Sequence, residues 1–147
     1  MAYAWTRGEG AAHYEARGSH MWFKALAALD DGDFSLMERT LPPGGRRPPL
    51  HRHTNCSEAY VVLEGTVGID IGEEHVILNK EGVALVPRGS AHSFGNAGEH
   101  EARLLVIHAP AMDAYFAELH ELWHKGEAPT VEEERALMAR FGMERAD

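Results

Sequence analysis

Between about residues 20 and 109, short apolar, β-prone runs alternate with Gly, Pro and Asn punctuation. The runs cover 21–26, 34–41, 58–63, 66–71, 75–78, 83–86, 92–94 and 103–108. Their recurrence is close to the ~8–12 residues per strand and turn of a sandwich or barrel. No helical pattern of about 10–15 residues separates them, which argues against parallel βαβ winding. Glu64-Gly65 and Gly72-Glu73 stand where tight hairpin turns belong.

After Ala109 the period changes. Met112, Tyr115, Phe116, Leu119, Leu122 and Trp123 recur at steps of three and four, the pattern of an amphipathic helix. Pro110 suits the first turn of that helix, and Gly126 suits the position past its end. A second helix follows, with a capping-box pattern at Thr130 and Glu133 and a stop at Gly142. The aromatic stripe predicts a lid or flank packed on the barrel, with a subunit interface as the alternative.

The 147 residues are 44% hydrophobic, ordinary globular content that argues against disorder. That length suits one domain over 1–147, with a barrel at about 20–109 and a helical extension at about 110–142. Fourteen Lys and Arg against twenty-three Asp and Glu leave a net charge of −9, which argues against a nucleic-acid or anionic-membrane partner. No basic and then apolar leader is visible, and apolar runs stay far short of the ~20 residues of a membrane span. The single cysteine, Cys56, excludes a disulfide framework within one chain. Together these features predict a reducing, cytoplasmic setting.

Ten histidines in so acidic a chain ask for a reason. His51 and His53 are two apart, so on a strand both face the same way. Glu58 opens the next apolar run and shares a face with Tyr60 and Val62. His92 follows the turn Pro87-Arg88-Gly89. Two or three neutral imidazoles and one carboxylate converging on a point suit Fe, Mn, Ni, Co or Zn, whereas Ca and Mg prefer all-oxygen sites. Such imidazoles must be neutral to bind, so metal affinity is expected to fall as pH drops through roughly 6.

Gly45, His51, His53, Glu58 and Gly65 form G-x5-H-x-H-x4-E-x6-G. That string resembles the first conserved motif of the cupin superfamily. Pro87-x-Gly89-x2-His92-x3-Asn96 resembles its second motif. The second motif usually carries Gly and then Asp six positions before its proline; here Glu81 and Gly82 hold those places. The chain also resembles the small single-domain bacterial cupins described as quercetin-dioxygenase-like.

The resemblance implies an all-β fold: an antiparallel jelly-roll barrel carrying two C-terminal helices. It implies one divalent transition metal per chain, held by His51, His53, Glu58 and His92, with Glu58 also a catalytic base. It implies a metal-dependent, dioxygenase-like enzyme acting on a small organic molecule. The alternatives are a non-redox isomerase, lyase or sugar-modifying enzyme, and a non-catalytic cupin that binds a small ligand. A homodimer is expected through the residues before Met21, among them Trp5 and Tyr14.

Tyr60 and Phe94 share strand faces with ligands and are candidate pocket residues, with plain core packing as the competing role. His108, in the last apolar strand, is a candidate pocket residue or a satisfied core histidine. Trp22, Met37 and Arg39 lie on early strands within reach of the cavity. Cys56 reads as a loop residue, and Asn96 as part of a turn. The other six histidines read as surface residues, of which His120 and His124, one helical turn apart, suit adventitious metal.

Overall fold

The structure, a computed structural model, describes residues 2–147. The elements run β1 (Ala12–Ala16), β2 (Ser19–Ala25), the one-turn helix α1 (Ala27–Asp30), β3 (Ser35–Leu41), β4 (His51–His53) and β5 (Ser57–Glu64). Then come β6 (Val67–Ile71), β7 (Glu74–Leu78), β8 (Val83–Val86), β9 (His92–Asn96) and β10 (Ala102–Ala109). Helices α2 (Asp113–Trp123) and α3 (Val131–Arg140) come next, and β11 (Met143–Arg145) closes the order. Every apolar run read from the sequence falls on a strand. The apolar pattern missed β1, β4 and β11, which carry little β-branched character. Pairing holds them: β1 to β2, and β11 to β4.

Two antiparallel sheets face each other. One has the order β1-β2-β3-β10-β5-β8, the other β11-β4-β9-β6-β7. Side-chain alternation fixes which residues look inward. On β10, Leu104, Val106 and His108 point in, opposite Val62, Tyr60 and Glu58 of β5. On the other side of β10 the partners are Arg39, Met37 and Ser35 of β3. A fully buried Leu or Val at such a position contributes about 1.5–3 kcal/mol.

The two expected hairpin turns part company. Gly72-Glu73 does join β6 to β7 as a two-residue hairpin, with Ile71 paired to Glu74. Glu64-Gly65 does not make a hairpin, because β5 and β6 belong to different sheets and the chain crosses over there. The glycine is needed for closeness as well as for its φ of 81°: a Cβ at Gly65 would sit 2.9 Å from Ala102 Cα.

The helices cover one end of this arrangement. Helix α2 buries Tyr115, Phe116 and Leu119, with the Phe116 ring 5.6 Å from those of Phe23 and His108. Pro110 precedes α2 instead of opening its first turn, and Met112 is its N-cap. Helix α3 starts on the expected capping box: Glu133 N donates to Thr130 Oγ1 at 3.1 Å, and Thr130 N donates back to Glu133 Oε1 at 3.2 Å. It buries Glu134, Leu137 and Met138. Arg17 Nε donates to Glu134 Oε1 at 3.0 Å, tying α3 to the loop between β1 and β2. Among the described residues, no helix is long and apolar enough to cross a membrane.

Candidate metal centre

Strand β4 turns His51 and His53 inward and Arg52 outward. Its one register pair with β9 sets His51 opposite His92. The facing sheet supplies Glu58, register-paired on β5 with His108 of β10. Three imidazoles from one sheet therefore meet a carboxylate and a fourth imidazole from the other. All five side chains are buried.

Hydrogen bonds fix the orientation of two rings. His51 Nδ1 lies 2.7 Å from Pro49 O, and His92 Nδ1 lies 2.9 Å from Ser90 O. A carbonyl oxygen only accepts, so both Nδ1 atoms carry a proton, and each ring, when neutral, presents its Nε2 lone pair. His92 Nε2 nevertheless lies 2.8 Å from Glu58 Oε2, itself an acceptor. Two lone pairs at that separation need a cation between them, a proton or a metal ion. His53 Nε2 approaches the same Oε2 at 3.1 Å, and the ligating atoms of His51, His53 and His92 all lie within 4.8 Å of one another.

The other oxygen, Glu58 Oε1, faces His108 Nε2 at 3.1 Å. Burial opposes the Glu58 charge, but the imidazoles of His108, His53 and His92 outweigh it and hold the carboxyl well below its usual range. Burial drives His51 down to about 3, with His92 adding to the effect. Burial also lowers His53, against the pull of Glu58. For His92, contact with Glu58 overcomes burial and raises the pKa.

The pattern-derived pocket residues separate. Phe94 and His108 line the cavity beside His51, His53 and Glu58. Tyr60 is fully buried with its ring 4.9 Å from Phe94, and burial together with Glu58 pushes its phenol well above the ordinary value. Met37 points inward but packs in the core. Trp22 is not brought to the cavity: it lies on the outer face of β2, stacked on His13 and His20 at 5.1 and 5.4 Å. Cys56 lies outside the ligand clusters, its Sγ 3.2 Å from Ser57 O and its thiol pushed by burial to about 11. Asn96 makes its turn, donating to Leu41 O and accepting from Gly98 N. His120 Nδ1 is occupied by the amide of Glu15 at 2.9 Å.

Sequence reasoning missed the rest of the wall. Arg17, Tyr115, Phe116, Met138 and Met143 also line the cavity. They come from the β1–β2 loop, both C-terminal helices and β11, where no local motif marks an inward side chain. The cavity volume is about 20 Å³, room for roughly one water. An outer groove of about 470 Å³ lies beyond, and His51, Met138 and Met143 line both spaces.

Residues 37–108 match the family model described as the cupin domain. The "Oxidoreductase OpS7" of Beauveria bassiana is 36% identical over 69 residues, covering 42% of this chain and 23% of that protein. The chain spans less than a third of the length of the curated relatives it matches. KdgF from a Halomonas species superposes with a TM-score of 0.60 at 15% identity, over 70% of this chain and 89% of that one. The Cnp3 cupin domain of Schizosaccharomyces pombe superposes with a TM-score of 0.58 at 20% identity, over 68% and 69%. The match to the cupin domain over residues 37–108, the jelly-roll barrel and the inward histidines of β4 and β9 agree, and together they support the cupin superfamily for this part of the chain.

Proposed function

We propose that the chain is a metal-dependent, dioxygenase-like enzyme acting on a small organic molecule. The observation that carries the metal is the convergence of the His51, His53 and His92 ligating atoms, all within 4.8 Å of one another, beside the Glu58 carboxylate. His51, His53, Glu58 and His92 would hold one divalent transition metal, and their donor types suit Fe, Mn, Ni, Co or Zn. When bound, such a metal polarises a substrate oxygen and leaves a position open for dioxygen.

The side chains divide the remaining work. The Pro49 and Ser90 carbonyls hold His51 and His92 in the tautomer that offers Nε2. Glu58 turns Oε2 to the ligand cluster, while His108 grips Oε1 and positions the carboxylate to take a proton from substrate. Phe94, Phe116 and Met138 give the cavity apolar walls that exclude water. The name of the OpS7 relative supports the redox branch of cupin chemistry. A single unit over 1–147, a cytoplasmic setting and a homodimer complete the proposal. The edge position of β1 supports strand pairing across such a dimer.

Untagged protein purified without oxygen is expected to hold about one transition-metal ion per chain. His51→Ala, His53→Ala and His92→Ala should each abolish stoichiometric content while leaving the far-ultraviolet circular dichroism of a β fold. Full metal in all three variants overturns the ligand assignment. Substrate-dependent oxygen uptake by the wild type tests the dioxygenase step, and turnover without oxygen overturns it.

A further inference from the structure

Arg39 is 2% exposed on the inner face of β3, paired across to Met21 and Leu104, and lines the same cavity as His51, His53 and Glu58. Among the described residues, no carboxylate lies within ion-pair distance of it. Its Nε has no hydrogen-bond partner among them either. Its guanidinium carbon lies over the face of Phe94, 5.0 Å from the ring centroid. The neighbouring acids are already engaged. Glu134 is shared by Arg17 and Arg46, and Glu58 by three imidazoles.

Arg17 and Tyr115 line the same cavity wall and interact with each other, and neither Arg17 Nη2 nor the Tyr115 hydroxyl has a hydrogen bond to any other described residue. A buried cation without a counter-ion is costly, and a divalent metal beside Glu58 would add to the positive charge of the cavity. Burial, and then Arg17, lower the Arg39 pKa to about 10, so the guanidinium stays charged at neutral pH.

We infer that Arg39, supported by Arg17 and Tyr115, is an anion-binding site that receives the carboxylate of a small substrate beside the metal centre. This rests on the metal-enzyme proposal for its context and deepens it by naming the substrate class as small carboxylic acids. A planar guanidinium matches a carboxylate with two parallel N–H donors, a geometry that lysine lacks. The present volume has room for about one water, so any carboxylate, formate included, enters by displacing the flexible side chains of Met138 and Met143.

Formate, the smallest carboxylate, and formamide, its neutral counterpart, are the probes. They are titrated calorimetrically into Mn(II)-loaded and chelator-stripped protein at matched ionic strength. Formate is expected to bind saturably and raise the melting temperature, and formamide to do neither. Arg39→Met should fold with an unchanged or higher melting temperature without formate, because it removes an unpaired buried charge. It should lose formate affinity at least tenfold, with Arg39→Lys in between. Equal responses to formate and formamide, or wild-type formate affinity in Arg39→Met, overturn the anion site. Should Arg39→Met not fold, wild-type affinity in Arg39→Lys overturns it instead. Stoichiometric metal with no formate binding removes the anion site alone. Arg39-dependent formate binding in a protein that takes up no metal removes the metal proposal alone.

Discussion

His51 and His92 face each other across one register pair, yet the protein pulls their proton affinities apart. Burial holds His51 neutral down to about pH 3, whereas the Glu58 contact raises His92. In the unfolded chain both titrate near 6.5. Between that value and about 3, the unfolded state carries a proton at position 51 that the folded state refuses. The His51 contribution to stability is therefore present above about 6.5 and is lost as pH falls towards 3. His92 contributes in the opposite sense: full below 6.5, lost as pH rises through its folded value. Metal-free protein should melt at progressively lower temperature from pH 6.5 to 4, and His51→Leu should flatten that slope. An unchanged slope would show that His51 is not the buried base. Spacing alone does not make this distinction between two equivalent-looking histidines.

The four proposed ligands were legible because their spacing is a chemical requirement. Alternation along β4 turns two imidazoles to one face whatever the surroundings. Arg39 and His108 were visible only as residues within reach. A charged strand residue reads as solvent-facing until the opposing sheet covers it. The grip of His108 on Glu58 depends on how β10 pairs with β5, a long-range choice.

At the scale of elements, local rules worked where a segment answers to its own backbone. The capping box of α3 and the Gly72-Glu73 hairpin are of this kind. They failed where the chain changes sheets, as at Glu64-Gly65. The turn before β8 is instructive. Glu81 sits at φ 73°, a left-handed conformation, at the place where the second cupin motif usually has glycine. Gly82 is needed for space, since a Cβ there would lie 2.9 Å from Asn79 O. Glu81→Gly should raise stability by about 0.5–1 kcal/mol, and Gly82→Ala should lower it. Urea unfolding of the two variants reads both signs.

Helix α3 has a different anchor. Glu134 is fully buried and accepts from Arg17 Nε and Trp123 Nε1. Glu134→Ala strands the Arg17 charge without its partner and should cost about 3–5 kcal/mol in the same unfolding assay. A loss below 1 kcal/mol would mean that α3 is not held by this pair.

Across the whole molecule, the site is closed by parts far apart in sequence. The proposed metal ligands come from residues 51–92, while the covering residues come from residues 17, 115–116, 138 and 143. This is why the barrel could be read from periodicity and its mouth could not: closure is a property of docking. Strand β4 is itself held in place by such docking. It meets β9 at one register pair only, His51 with His92, and its other neighbour is β11, where Met143 and Arg145 pair with His53 and His51. Anything that steadies the two imidazoles also steadies the amides of 143–145. Those three residues are thus an isotopic clock for occupancy. In deuterated buffer their exchange should slow several-fold when metal is added, ahead of any change in the β6–β7 hairpin. Equal rates with and without metal would mean that the strand and its ligands open independently.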